Sequence, residues 1–294
     1  MSTFCVAAVV NEPAPILRRF VAWYRALGAA RIVLYFDDPS DPELPEAEAD
    51  PIVQPVRCTA GFWQSLGLTP ETRFTLRQNA ALSAAYRNLR EDWLLAVDAD
   101  ELLFLRAGSV AALLDGQPQD VRSLMIEPAE FVQGPDDAAT FRLPIGRAVV
   151  NRLYGSDAEI FRKRHGMIGH SVGKAFHRRG QDGIRLRQHW AVAPDGQPVP
   201  YRTLGRNEGA HLLHYLAPDY GVWRRKMEWR LASNGFPERV KAVFDEIRAV
   251  EADPEAAYAG LYARLHRIGP ELRDALRRED ALLELAADRA PEAV

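Results

Sequence analysis

Short apolar runs alternate with longer amphipathic segments over the first hundred residues. FCVAAVV (4–10), RIVLYF (31–36) and WLLAV (93–97) are continuous apolar runs, as expected of strands covered on both faces. The segment between the first two runs carries apolar residues at helical spacing, and residues 70–90 do the same. This alternation predicts an α/β fold with a mostly parallel, Rossmann-like sheet flanked by helices.

The pattern farther along the chain predicts less regular elements. Residues 51–58 form another apolar run, and its internal Pro55 favours an edge strand because proline cannot donate to a neighbour. Residues 109–116 predict a short helix, and residues 123–132 predict an interrupted strand. Residues 220–290 have a helical pattern with charges of alternating sign, which is typical of solvated helix faces.

Composition and charge narrow the classes of protein to consider. The 294 residues are 47% hydrophobic and 26% charged, which is ordinary for a globular chain. The net charge of −3 disfavours a general polyanion binder, so no nucleic-acid partner is expected. No apolar run approaches the roughly 20 residues of a membrane span, and the first residues lack a basic leader. We expect a cytoplasmic protein, with contact to the inner face of the membrane left open.

Carboxylates crowd the end of the third apolar run. EDWLLAVDADELLF (91–104) places Asp98, Asp100 and Glu101 directly after WLLAV. Polar pairs also follow the first two runs, at residues 11–12 and 37–38. Because the carboxyl ends of parallel strands share one edge of a sheet, where ligands bind in open α/β folds, we expect these groups to converge there.

The crowded carboxylates need either solvent or a positive charge between them. In extended backbone, residues two apart point the same way, so Asp98 and Asp100 would face one point. Two convergent carboxylates suit Mg²⁺ or Mn²⁺, with water and phosphate completing the coordination. The alternative is a solvated acidic loop or the N-terminus of a helix.

The order of these motifs resembles that of GT-A type glycosyltransferases, close to family 2-like and family 92-like bacterial enzymes. The likeness is carried by WYRALG (23–28), FDDPSD (36–41) and DADE (98–101), and more weakly by the closing segment HLLHYLAPDYGVWRRKMEWR (211–230). It implies a GT-A-like domain over residues 1–215, with a nucleotide-sugar half (about 1–105) and an acceptor half (about 106–215). Residues 216–294 would form a helical C-terminal extension.

The resemblance implies roles for the residues around the donor. Asn11 and Glu12 would lie beside the nucleoside, and Asp37 or Asp38 would contact the base or the ribose. Asp98 would lie near the ribose or the sugar and would bind the metal together with Asp100.

The resemblance also implies a metal centre. Asp100 would bind Mn²⁺ or Mg²⁺, and His214 is the candidate for a further ligand or diphosphate contact. Lys174 is a candidate phosphate or acceptor contact. An inverting transfer needs a carboxylate base, and Asp157 and Glu159 are the candidates because they are the acids nearest the expected acceptor side.

The resulting hypothesis is a metal-dependent glycosyltransferase that moves a sugar from a nucleotide-sugar donor to a glycan or lipid-linked acceptor, with inversion, in polysaccharide biosynthesis. Two alternatives stay open. One is a metal-dependent phosphotransferase or nucleotidyltransferase that uses the same Asp pair. The other is a non-catalytic module that binds a phosphorylated polymer through residues 141–190, where eleven Lys or Arg face three acids. The sequence leaves the oligomeric state undetermined.

Overall fold

The fold was examined in a computed structural model, which describes residues 1–136, 138–232, 238–250, 253–286 and 289–291. The strands are β1 (Phe4–Val10), β2 (Arg31–Phe36), β3 (Val53–Arg57), β4 (Trp93–Ala96), β5 (Glu101–Leu105), β6 (Ser123–Ile126), β7 (Pro128–Val132), β8 (Ala139–Arg142), β9 (Lys174–Arg178), β10 (Arg185–Leu186), β11 (Ala191–Val192), β12 (Arg202–Leu204), β13 (Ala210–His214) and β14 (Leu282–Leu285). The helices are α1 (Ala14–Ala26), α2 (Leu44–Ala49), α3 (Ala60–Ser65), α4 (Phe74–Arg87), α5 (Val110–Asp115), α6 (Arg147–Tyr154), α7 (Ala158–Phe161), α8 (Tyr220–Ala232), α9 (Glu238–Val250), α10 (Pro254–His266) and α11 (Pro270–Arg278).

The chain forms two compact units. The first contains residues 1–128 and 172–213, and the second contains residues 129–171 and 214–290. The functional division at residues 105 and 215 stays a prediction. Residues 233–237, 251–252, 287–288 and 292–294 of the predicted extension lie outside the described residues.

A seven-stranded sheet organises the first unit, in the order β12-β6-β9-β4-β1-β2-β3. Strand β1 is parallel to both β2 and β4, and β2 is parallel to β3. Strand β9 is antiparallel to its neighbours β4 and β6, while β12 is parallel to β6. The predicted mostly parallel α/β sheet is therefore confirmed, and the strand that contains Pro55 lies at its edge as expected.

Local sequence explains where the first helix begins and ends. Pro13 precedes α1 and Pro15 occupies its first turn, where no backbone donor is needed. Leu17, Phe20 and Tyr24 form its buried stripe. Gly28 then takes a φ of +83°, which ends the helix at little steric cost.

The predicted strand over residues 123–132 is two strands. The chain leaves the seven-stranded sheet at Glu127, between β6 and β7. Pro128 cannot donate a backbone hydrogen bond, so it cannot extend the ladder of β6. The break puts Glu127 directly after the carboxyl end of β6.

Each unit has its own apolar core. In the first unit, α3 and α4 pack on one face of the sheet around Trp63, Leu82 and Tyr86. In the second unit, helices α6 to α10 surround Trp223, Phe244 and Tyr262. Helices dominate the predicted extension after residue 216, which confirms its helical character. No helix within the described ranges is both long and apolar enough to cross a bilayer.

A buried histidine in the sheet predicts acid sensitivity. His177 lies in β9, its Nδ1 is 2.9 Å from Ser123 Oγ, and burial lowers its pKa to about 4. Between pH 6.5 and 4 the unfolded chain binds a proton at this histidine and the folded chain does not. The free energy of unfolding should therefore fall as the pH drops through that window, by on the order of 2–3 kcal/mol from this group.

Urea unfolding of the native protein and of His177→Gln at pH 7.5 and pH 5 measures this contribution. The variant should lose less stability on acidification than the native protein. His165→Asn, which replaces an exposed histidine, is the control. An equal loss in native protein and His177→Gln would contradict the assignment.

Candidate functional site

The carboxyl edge of the seven-stranded sheet brings the predicted polar segments together. Asn11 follows β1, Asp37 follows β2 and Asp98 follows β4, and these three strands are parallel neighbours. Lys174 begins the antiparallel β9, so it lies at the same edge. We call this region, from the end of β2 to the end of β6, the carboxyl-edge site.

Asp98 is held by two side chains from distant parts of the first unit. Lys174 Nζ donates to Asp98 Oδ2 at 2.8 Å, and Gln78 Nε2 donates to Asp98 Oδ1 at 2.7 Å. Gln188 Nε2 in turn donates to Gln78 Oε1 at 2.8 Å. About a third of the Asp98 side chain is exposed. Its carboxylate therefore has a fixed orientation and remains open to a ligand.

A tight turn fixes the other carboxylates. The backbone N–H of Glu101 donates to the Asp98 carbonyl at 3.0 Å, and the Asp98 N–H donates to Glu101 Oε2 at 2.9 Å. Tyr24 Oη donates to the Glu101 carbonyl at 2.9 Å, which ties the turn to α1. Asp100 lies inside the turn and is buried.

Lys174 supplies the positive charge that the crowded carboxylates require. Its side chain is almost fully buried, and Nζ lies 3.5 Å from Glu101 Oε2 as well as beside Asp98. Burial lowers the pKa of Lys174, but the charges of Asp98, Glu101 and Asp100 outweigh it and raise that pKa above its ordinary value. The lysine is therefore charged at neutral pH and neutralises part of the cluster.

Asp37 forms an ion pair with Arg77. Arg77 donates to it from Nε at 3.2 Å and from a terminal nitrogen at 2.5 Å. The Arg77 guanidinium also lies over the rings of Trp63 and Phe74, 5.5 and 5.8 Å from their centroids, and donates to the Thr72 carbonyl at 2.9 Å. The ion pair therefore attaches the loop before α4 to the carboxyl edge.

The other predicted donor contacts are near the surface. Asp38 is exposed, and Ser40 donates to it from its hydroxyl and its backbone N–H, which lowers the pKa of that carboxyl. Asn11 is exposed and Glu12 is half-buried. Their roles beside a nucleotide stay predictions.

Three predicted site residues belong to the second unit. His214 and Glu130 both lie against Gly169, where a Cβ would be 3.1 Å from the His214 ring and 2.8 Å from Glu130 Oε2. Asp157 is 3.4 Å from the guanidinium of Arg264. Glu159 is exposed. The structure does not gather these residues with Asp98 in one compact unit.

The fit of a divalent cation rests on Asp98 and Asp100. Among the residues that the structure describes, no three His, Cys, Asp or Glu side chains form a metal-binding group. The two aspartates are hard oxygen donors, but they lie in the turn after β4 and not in the extended backbone from which their convergence was predicted. The donor type suits Mg²⁺ or Mn²⁺, and a cation at this pair of aspartates stays a prediction.

Sequence reasoning missed Gln78, Gln188 and Arg77. A signal existed for Gln78, because it lies in the buried stripe of α4 with Ala81, Leu82 and Ala85. A polar side chain at such a position requires a hydrogen-bonding partner. No comparable signal marks Gln188 or Arg77, whose partners come from distant segments.

Comparisons with known proteins are limited to distant structural likeness. No protein-family model matches the chain, and no curated protein matches it in sequence. HddC from Yersinia pseudotuberculosis has a TM-score of 0.38 at 11% identity, with 73% of this chain and 93% of that chain covered. The mannosyltransferase PcManGT from Pyrobaculum calidifontis, solved with GDP-Man and Mn²⁺, has a TM-score of 0.42 at 15% identity, covering 95% and 75%. At these TM-scores neither likeness supports a conclusion about function.

Proposed function

We propose that the carboxyl-edge site transfers a sugar, with inversion, from a nucleotide-sugar donor to a hydroxyl of a glycan or lipid-linked acceptor. The observation that carries this proposal is the Asp-x-Asp turn at the carboxyl end of β4, held by Lys174 and Gln78. Ligands of open α/β sheets bind at this edge. The motif resemblance to GT-A glycosyltransferases supports the same function.

The residues of the site have separate tasks in this proposal. Asp98, with its orientation fixed, accepts hydrogen bonds from hydroxyl groups of the ribose or the sugar. Asp100 and Asp98 hold Mn²⁺ or Mg²⁺, which when bound stabilises the charge on the departing diphosphate. Lys174 keeps the carboxylates from repelling the diphosphate, because its buried charge offsets theirs. Asn11, Glu12, Asp37 and Asp38 line the nucleoside side.

Three of the eleven bases in residues 141–190 are buried or half-buried and have structural contacts, while seven are exposed: Arg147, Arg152, Lys163, Arg164, Arg179, Arg185 and Arg187. Arg142 and Lys174 are buried and pair with carboxylates. The Arg178 guanidinium lies 4.4 Å from the centroid of Trp93 and donates to backbone carbonyls. Several of the bases in this segment therefore serve the fold. The phosphatases comparable with the phosphotransferase alternative use an Asp nucleophile directly after the first strand. This chain has Asn11 there, which counts against that alternative.

Calorimetry with UDP and GDP, with and without Mn²⁺, tests the site, and Asp100→Asn is the decisive variant. We expect metal-dependent binding of one nucleotide by the native protein. In Asp100→Asn its Kd should rise at least about tenfold, which corresponds to about 1.4 kcal/mol of lost binding energy. Asp195→Asn, which removes an exposed carboxylate in a turn, should bind as the native protein does.

Two outcomes would count against the proposal. If neither nucleotide binds under any condition, the assignment of this site as a donor site for UDP or GDP is wrong. If Asp100→Asn keeps the metal-dependent affinity, the cation binds elsewhere.

A further inference from the structure

The carboxyl-edge site contains a further carboxylate, Glu127. It directly follows β6, whose last residue Ile126 is opposite Lys174 in β9. Lys174 in turn contacts Asp98 at the end of β4. Neighbouring strands are about 4.8 Å apart, so the end of β6 is about 10 Å across the edge from the end of β4. Strand β9 lies between the two strand ends, so this is a distance along the edge and not an open gap.

The backbone holds Glu127 firmly in place. Its N–H donates to the Leu204 carbonyl at 2.8 Å, and its own carbonyl accepts from the Leu212 N–H at 2.9 Å. Gly205 packs against the side chain, and a Cβ there would be 2.8 Å from Glu127 Oε2. A glycine at this position therefore keeps the space that the carboxyl group occupies.

The carboxyl group has an unused acceptor. Its Oε2 atom is buried and has no hydrogen-bond partner within the part of the chain that the structure describes. Buried polar atoms without partners are uncommon, and a catalytic role or a bound water is among the accepted reasons for them. The charged groups that act on Glu127 are Arg206, whose backbone N–H also donates to it, and Glu208.

We propose that Glu127 is the general base of the transfer and that the acceptor hydroxyl therefore binds at the end of β6. This inference rests on the proposed function. The hydroxyl proton passes to the Glu127 carboxylate while the hydroxyl oxygen forms a bond to the anomeric carbon. The bond from that carbon to the phosphate oxygen breaks, and its electron pair leaves with the nucleoside diphosphate.

The electrostatic surroundings suit this task. Burial raises the pKa of Glu127 above its ordinary value, and the positive charge of Arg206 opposes that rise only in part. A base is most effective when its pKa approaches the working pH, provided that it remains ionised. Asp157 and Glu159, the candidates from the sequence, belong to the second unit and serve as rivals in the test.

The test measures release of nucleoside diphosphate from UDP-glucose, UDP-galactose, UDP-N-acetylglucosamine and GDP-mannose, with water as the acceptor. Glu127→Gln should lower turnover at least about 100-fold, the usual contribution of a general base. Its Kd for the nucleotide should stay within about twofold of the native value. Native turnover should rise with pH through one ionisation, and the variant should have a flat profile. Glu127→Asp should retain part of the activity, and Asp195→Asn, at an exposed carboxylate, should have native turnover.

The outcomes separate this inference from the function on which it rests. If the native protein turns over no donor and binds no nucleotide, the proposed function fails and the base assignment fails with it. If the native protein is active and Glu127→Gln keeps its turnover, or loses nucleotide affinity in the same proportion, only the assignment of Glu127 is overturned. If Asp157→Asn or Glu159→Gln loses turnover while Glu127→Gln keeps it, the substituted residue is the base and Glu127 is not.

Discussion

Replacing Lys174 by methionine is expected to lower the free energy of unfolding by about 3 kcal/mol at pH 7. Methionine fills a similar volume but removes the cation that contacts both Asp98 and Glu101. Removal of one partner of a buried ion pair leaves an uncompensated charge, which typically costs about 3–5 kcal/mol. Asp98 is partly exposed, so water offsets some of that cost.

Urea unfolding at pH 7 measures the effect of Lys174→Met. Lys174→Met combined with Glu101→Gln should recover part of the loss. Lys163→Met, at an exposed lysine, is the control. A Lys174→Met protein as stable as the native one would mean that solvent already neutralises the carboxylates.

Replacing Arg142 by methionine is expected to cost about 3–5 kcal/mol in the second unit. Arg142 and Glu130 are both almost fully buried and form an ion pair. Arg142 also donates to the Leu265 carbonyl at 2.9 Å, and Glu130 accepts from the Ile168 N–H at 3.1 Å. The variant would leave a buried carboxylate without its cation.

The pH dependence distinguishes this ion pair from simple packing. Burial alone would raise the pKa of Glu130, but the charge of Arg142, together with contributions from His266 and His214, lowers it to about 2. Because the folded pKa lies below the unfolded value, the stabilisation is complete above about pH 4.5 and is lost as the pH falls toward 2. In Arg142→Met this acid-dependent loss should shrink.

Urea unfolding between pH 7 and pH 3 follows both the loss and its pH dependence. Arg147→Met, at an exposed arginine, should match the native protein throughout. A loss below about 1 kcal/mol in Arg142→Met would indicate that water enters and solvates Glu130.

The fold class could be predicted because the relevant signals are local. A buried strand needs only a short apolar run, and β1, β2 and β4 coincide closely with the runs at 4–10, 31–36 and 93–97. The same runs end in polar residues, which was sufficient to locate the carboxyl edge. By contrast, α3 could not be predicted from the sequence. The helix has six residues, which is too short to reveal an apolar periodicity, and Thr59 can be recognised as its N-cap only when the helix is already known.

The partners of the site residues could not be predicted because they depend on long-range contacts. Lys174 is 76 residues from Asp98, and Arg77 is 40 residues from Asp37. Their pairing follows from strand order, and above all from the antiparallel insertion of β9 between β4 and β6. The positive charge among the carboxylates was anticipated as a metal ion alone, and the fold supplies a lysine there as well.

The sequence by itself determined an α/β chain with acidic groups at the carboxyl ends of its central strands, because apolar runs and polar strand ends are properties of neighbouring residues. Only the tertiary structure decided which charges neutralise one another and where Glu127 lies. Electrostatic interactions and burial depend on distances in space, and residues far apart in the chain come together only when the sheet has formed.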